Sequence, residues 1–338
     1  MNEIHQRTVV ENTFSDYCNI TSGVPQGSVL GPTLFLIYVN DLLCSLHQHF
    51  YPSISLYAFA DDIKLLSENV DELQRALDFI GEWTNDWQLK IQAAKSEHIT
   101  FYPNKKGVND TFSLFNINGN AFVKTNLVRD LGLHLSSDLK WAAYISKIQL
   151  KSSSTAYIIL KTFKSKDPSL YITLFKIYIR PLLEYNCSMW SPYLKKDVER
   201  AEHTQKQYTR KVCKRLNIKY QSYSDRLTIL NLESLELRRL RYDLTLVYKI
   251  LHQLIYVNNQ GMFELNNMRT NHSLRRHSFY LKIPPVSRTK IRDNFFSTRI
   301  INTWNKLPDN IVSSPSLTIF KNLLSKFPLH TIYKFHYT

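Results

Sequence analysis

The sequence predicts an α+β fold in two parts: a mixed strand-and-helix part over 1–138, then a mostly helical, basic part over 139–338. Three observations predict it. Two hairpin signals, Asp61-Asp62 between short apolar runs and Asn118-Gly119 between FNI and AFV, fall in the first part. Beyond residue 139 the apolar spacing becomes helical. Charge divides at the same place. Residues 1–140 carry 10 Lys and Arg against 16 Asp and Glu (−6), and 141–338 carry 33 against 12 (+21).

Residues 6–21 read as extended segments with a turn, since Val9, Val10, Phe14 and Tyr17 lie among Asn, Ser and Asp. Pro32 suits the first turn of a helix running to about His47, with Leu36, Val39, Asn40 and Leu43 at helical spacing. ISLYAFA (54–60) and IKLLS (63–67) form a hairpin with Asp61-Asp62 at its tip. Asn69 with Glu72 three residues on is a capping box for a helix carrying Val70, Leu73, Leu77, Ile80 and Trp87. EHITFY (97–102) is a strand and LVRDLGLHL (127–135) a further one. Asp167-Pro168 caps a helix reaching Arg180, which Pro181 kinks or ends. Tyr171, Leu174, Phe175 and Tyr178 are its apolar stripe. Lys195–Leu216 and Leu232–Leu254 are amphipathic, and 257–295 is loop-rich.

The chain has 338 residues, 43% hydrophobic and 21% charged, which suits about two globular domains and excludes wholesale disorder. Cys18, Cys44, Cys187 and Cys213 form no CxxC pair, so neither a zinc ribbon nor a disulfide framework is indicated. Cys44, His47 and His49 cluster at a helix end without a common zinc spacing. His134, on an apolar strand, reads as a core or rim residue. The N-terminal residues lack a basic head followed by an apolar block, and no stretch is apolar enough to span a membrane. The expectation is an intracellular, reduced, soluble protein. A +21 segment rich in aromatic residues draws polyanions, because Lys and Arg meet phosphates while rings offer stacking faces.

Two motifs carry chemistry. Three of the eight glycines, Gly23, Gly27 and Gly31, lie in SGVPQGSVLGP beside Pro25. Glycine permits positive φ and close approach of another molecule, proline stiffens the loop, and Gln26 supplies an amide acceptor and donors. Such a loop suits a flat polar partner such as a base pair. The second motif is Phe59-Ala60-Asp61-Asp62. Adjacent carboxylates repel unless a cation or water compensates them, and Mg²⁺ prefers carboxylate oxygens while bridging to phosphates.

Together SGVPQGSVLGPTLFLIYVNDL and YAFADDIKLL resemble the reverse transcriptase of non-long-terminal-repeat retrotransposons, of the jockey and LINE kind. WQLKIQAAKSEHITF resembles the next block of that family, with Leu89, Lys95 and Ser96 in place and Gln92 where Asn is usual. VRDLGLHLSSDLKW is similar to the block that supports the primer terminus, through Leu131, Gly132 and Trp141. FFSTRIINTWNKLPDNI, with Arg299, Trp304 and Pro308, is similar to the family's tail region. The resemblance runs from Arg7 over nearly the whole chain, strongly over 20–66 and loosely after 140.

The resemblance implies part of a right-hand polymerase palm, antiparallel strands with packed helices over 1–138, followed by a helical thumb and basic C-terminal region. It implies a two-ion Mg²⁺ site with Asp61 as direct ligand and Asp62 supporting it. Ser22, Gly23, Pro25, Gln26, Gly27 and Phe59 would line the nucleotide and template pocket. Lys95 would stand near the pyrophosphate as a cation or general acid; a solvated lysine beside a strand is the alternative. Leu131 and Gly132 would support the primer. Implied partners are an RNA template, a DNA primer and deoxynucleoside triphosphates, with no membrane.

The family's first metal-binding aspartate sits in an Ala-Phe-Asp block several tens of residues before the Gly/Pro/Gln loop. Only 21 residues precede Ser22, and Asp16 matches a different segment. The expectation is therefore an N-terminally truncated palm with an incomplete ion site, inactive or nearly so alone, leaving an upstream fingers and endonuclease segment as a partner. A non-catalytic nucleic-acid-binding remnant is the alternative. The nucleus is the expected location, since the family copies at a chromosomal nick, with the cytoplasm as alternative.

Overall fold

A computed structural model describes residues 4–20, 23–24, 27–102, 115–257, 262–266, 277–285, 287 and 289–336. They form two compact units, Met1–His98 with Val108–Thr125, and Ile99–Gly107 with Asn126–Thr338. The hairpin that the sequence keeps with the first part thus packs in the second unit.

In the first unit, strand β1 (Ile4–Gln6) pairs antiparallel with β4 (Cys18–Ile20), enclosing the short hairpin β2 (Val9–Val10) and β3 (Thr13–Phe14). Helix α1 (Gly31–Phe50) has Pro32 in its first turn and runs one residue triplet beyond the expected His47. Its apolar positions bury Val39, Leu42, Leu46 and Phe50. Helix α2 (Val70–Asp86) meets that stripe with Ala76, Ile80 and Trp83, and the Trp83 indole donates to Asp41 Oδ2 at 2.9 Å. The cap of α2 is one-sided. Asn69 accepts from the Asp71 and Glu72 amides, while the Glu72 carboxylate pairs with Arg75 instead of closing a box.

Strands β5 (Ser55–Phe59) and β6 (Asp62–Leu66) form the expected hairpin. Of EHITFY only β7 (Glu97–His98) is strand; the backbone of 99–102 makes no ladder. Strands β8 (Asn116–Ile117) and β9 (Asn120–Ala121) turn through Asn118-Gly119, both at positive φ, as a two-residue hairpin loop requires. Strand β10 (Val123–Lys124) runs parallel to β7.

The second unit opens with β11 (Leu127–Asp130) and β12 (Leu133–Ser136), so LVRDLGLHL is a hairpin and not one strand. Its turn, Leu131-Gly132, has φ of 43° and 86°. The apolar run masked the turn, because leucine rarely occupies that conformation. Helix α3 (Ala142–Thr162) packs on α7 (Lys195–Arg215), with Ser152 Oγ and Thr204 Oγ1 bonded at 2.8 Å in the buried seam.

Between them lie α4 (Pro168–Leu174), a π-turn over Phe175–Ile179, α5 (Arg180–Glu184) and α6 (Cys187–Trp190). Pro181 does not end this helix. The Arg180 amide reaches back five residues to the Phe175 carbonyl, and that wider turn accommodates a residue without an N–H. Tyr171 and Phe175 are fully buried as the stripe predicts, whereas Tyr178 is exposed, since the π-turn shifts the register.

Helices α8 (Tyr223–Ile229) and α9 (Leu235–Leu251) follow. Next come α10 (Lys290–Asp293), α11 (Phe296–Arg299), α12 (Ile301–Trp304), α13 (Asp309–Val312) and α14 (Leu317–Lys326). Leu244, Val247 and Tyr248 of α9 pack with Ile300, Trp304 and Phe320 in one core. Among the described residues of 257–295, regular structure is limited to the bridge Leu265–Leu281 and α10. No helix among the described residues is long and apolar enough to cross a membrane.

Candidate active site

Period-2 alternation decides what the β5–β6 hairpin shows to solvent. Leu56, Ile63 and Leu65 turn inward against the α1–α2 core. The cross-strand pairs Tyr57–Lys64 and Phe59–Asp62 therefore share the outer face, with Tyr57 and Phe59 more than half exposed. The loop is Ala60-Asp61, not Asp61-Asp62. Asp62 is the first residue of β6, opposite Phe59. Ala60 has φ 51°, the positive value a tight two-residue loop demands at its first position. Asp61 thus caps the tip and Asp62 begins the outer face beside it. Among the described residues, neither carboxylate has an ion-pair partner or a hydrogen-bond donor. Tyr57 was absent from the sequence-based candidates, although alternation around Phe59 marks it.

The glycine-rich loop lies between β4 and α1. Gly23 and Gly27 have φ of 86° and 83°, and a Cβ on either would meet nothing within 4 Å. Both glycines serve backbone conformation beside open space, not tight internal packing. Ser22, Pro25 and Gln26 lie outside the described residues. Lys95 closes a 3₁₀ turn, Ala93–Lys95, with an exposed side chain, and no hydrogen bond or ion pair links it to Asp61 or Asp62. Phe59, Asp61 and Asp62 are therefore the residues gathered at one point.

Leu131 and Gly132 belong to the second unit. The Tyr185 hydroxyl donates to the Leu131 carbonyl at 2.7 Å, and a Cβ on Gly132 would stand 3.4 Å from the Tyr185 ring. The turn is seated on Tyr185. His134 is a half-buried rim residue stacked on Tyr144, with its Nε2 2.6 Å from Lys147 Nζ. Burial, Lys147 and Arg129 hold the His134 pKa below the usual imidazole range.

Residues 3–141 match the family described as reverse transcriptase (RNA-dependent DNA polymerase). That segment belongs to the reverse transcriptase family. The chain is 24% identical over 207 residues to the probable RNA-directed DNA polymerase from transposon X-element of Drosophila melanogaster, covering 57% of this chain and 22% of that protein. It is 33% identical over 141 residues to the RNA-directed DNA polymerase from mobile element jockey of Drosophila funebris, covering 38% of this chain and 15% of the relative. The jockey polymerase of Drosophila melanogaster is 27% identical over 183 residues, 51% of this chain and 19% of its own. The chain thus spans about a fifth of the length of these relatives. The reverse transcriptase segment contains the glycine loop, the acidic hairpin, Lys95 and the seated turn.

The carboxylate pair suits a magnesium ion in one respect and not another. Asp61 and Asp62 offer hard, solvent-facing oxygens, the donor type Mg²⁺ takes when waters and phosphates complete its shell. No group of three or more metal-binding side chains occurs among the described residues, so a closed protein cage does not fit. His47 and His49 are engaged otherwise, while Cys44 is a free, exposed thiol. His49 Nδ1 bonds the Ser45 carbonyl at 2.7 Å, and His47 stacks on Tyr51.

Proposed function

We propose that the first unit carries the nucleotidyl-transfer site of an RNA-directed DNA polymerase, with the tip of the β5–β6 hairpin as its metal-binding point. The observation that supports this most is the exposed Asp61-Asp62 pair, unpaired among the described residues, projecting beside the outward ring of Phe59. Bound magnesium supplies activation of a primer 3′-hydroxyl and relief of charge on departing pyrophosphate. Asp61 supplies the direct carboxylate and Asp62 the neighbouring one. Phe59 offers an apolar face to the incoming deoxynucleoside triphosphate. Gly23 and Gly27 leave room for template and nucleotide beside Ser22, Pro25 and Gln26. Lys95 serves the triphosphate as a cation, and the Leu131-Gly132 turn supports the primer strand. Template RNA and primer DNA are the partners, and chromosomal DNA in the nucleus is the place of action.

Manganese broadening of backbone resonances tests the site directly. Paramagnetic Mn²⁺ is expected to broaden residues 59–63 selectively, and Asp61→Asn to remove that effect. Uniform broadening across the chain would refute the assignment. Primer extension on an RNA template is the second readout. Because only Asp61 and Asp62 among the described residues gather at the tip, these 338 residues alone are expected to extend slowly or not at all. Any activity found must vanish in Asp61→Asn. The +21 charge over 141–338 supports a second reading, nucleic-acid binding without catalysis. Salt-sensitive RNA binding with no metal response at the hairpin would favour it.

A further inference from the structure

The second unit holds a cleft of about 540 Å³ that nucleotidyl transfer at the acidic hairpin leaves unused. Two helix stripes build it. Lys176, Arg180 and Glu184 recur every fourth residue along the π-turn and α5, and Tyr242, Thr245 and Lys249 recur at three and four residues along α9. Positive charge dominates this lining. Three cations stand against one carboxylate, and that carboxylate is already spent. Glu184 accepts from two nitrogens of the Arg238 guanidinium and from the Tyr242 hydroxyl, while Arg180 lies 3.7 Å from it. Lys176 and Lys249 are half-buried, and among the described residues neither has a carboxylate partner. Half-burial removes part of the water that screens like charges, so three cations around one space favour an anion within it. The backbone adds a second observation. Lys176 sits inside the π-turn and Arg180 closes it, and such turns forgo regular helical hydrogen bonds and recur at functional sites.

We propose that this cleft binds a small soluble polyanion carrying a diphosphate group. Its volume lies within the range of small-molecule sites and suits a compact ligand. A diphosphate presents charged oxygens on every side, so lysines from facing helices and one arginine fork engage it together. The Thr245 hydroxyl adds a neutral donor beside Lys249. The exposed Tyr242 ring gives a nucleobase a stacking face, so inorganic pyrophosphate and a nucleoside diphosphate share the recognised chemistry. The proposal is independent of the polymerase reading. Neither the acidic hairpin nor a nucleic-acid strand takes part in it.

The test measures the urea midpoint of the full chain with inorganic pyrophosphate or ADP, in EDTA so that no metal bridges either ligand to Asp61 and Asp62. A ligand that binds only the folded chain raises that midpoint as its concentration rises. Millimolar pyrophosphate is expected to raise it. Lys176→Gln and Lys249→Gln should each need about tenfold more pyrophosphate for the same rise, the loss of one hydrogen bond between charged groups. Lys321→Gln removes the same charge at an exposed position on α14 and should respond like the parent chain. Asp61→Asn should do so too, so failure of the metal site and failure of this cleft read out separately. A larger rise with ADP supports a nucleotide as the source, and an equal rise supports the diphosphate as sufficient. No rise with either ligand, or a response weakened equally in Lys321→Gln, overturns the proposal. Release of bound pyrophosphate on adding short single-stranded RNA, followed by phosphorus NMR, also overturns it and assigns the cleft to a strand.

Discussion

Leu131 occupies a backbone conformation that its side chain disfavours. At φ 43° a leucine carries strain of about 1–2 kcal/mol, and the hairpin keeps it because the turn is fixed by its ladder and by the Tyr185 hydroxyl on its carbonyl. Asparagine tolerates the left-handed region, and the Tyr185 bond is to backbone, so it survives the exchange. Leu131→Asn is therefore expected to raise the urea midpoint by an amount corresponding to about 1 kcal/mol. A loss of stability would mean that the leucine side chain, not the turn geometry, holds the hairpin. The contrast with Gly27 shows what single residues disclose. A glycine in a Gly/Pro/Gln run announces positive φ, and the structure has it. A leucine in an apolar run announces strand, and here it makes a turn. The strain at Ala60 was equally hidden, because alanine carries no turn signal, and the tip is displaced by one residue from where the two aspartates place it.

Element identity was legible wherever caps and periodicity agreed. Asn69, Asp167 and the Pro32 start all open helices, and Asn118-Gly119 turns as its composition demands. The roles of Arg299 and Trp304 were not legible, because both act across long sequence separations. Trp304 is fully buried, with its indole donating to the Phe279 carbonyl at 2.9 Å. Arg299, at the end of α11, bonds Asp243 of α9 and the Ser188 carbonyl of α6, each at 2.8 Å. It ties three helices together. Burial pushes the Asp243 carboxyl up, opposed first by Arg299. Removing the arginine leaves that carboxylate buried without its partner, which costs about 3–5 kcal/mol in comparable sites. Arg299→Ala should lower the urea midpoint by that much. Arg299→Met with Asp243→Leu should restore most of the loss, because two well-packed apolar residues leave no orphan charge. Failure of the double variant to recover would show that the Ser188 and Asn294 carbonyl bonds, not the ion pair, hold the helices.

Across the whole molecule, charge was the most readable property and buried polarity the least. The −6 and +21 halves follow from composition alone, but no pattern in the sequence shows that Glu202, Arg239, Asp243 and His277 are buried. That hidden set governs how stability responds to acid. Burial holds His277 below the usual imidazole range, while its Nε2 faces the Trp304 carbonyl at 3.3 Å. With the folded pKa lowered, the unfolded chain takes up the proton first as pH falls below about 6.5. The stability this neutral ring contributes is complete above pH 6.5 and is lost as pH falls toward the lowered folded value. Glu202 and Asp243 act in the opposite sense. Their carboxyls are raised by burial, so the penalty of ionising them lifts as pH falls. A bare pH profile mixes the two trends, whereas comparison with His277→Gln isolates the histidine, since both proteins share the carboxyls. Urea unfolding between pH 7.5 and 5.5 should show the parent chain losing more stability than His277→Gln. Parallel profiles over that interval would mean that the imidazole titrates alike folded and unfolded, and that the Trp304 core admits enough water to solvate its charge.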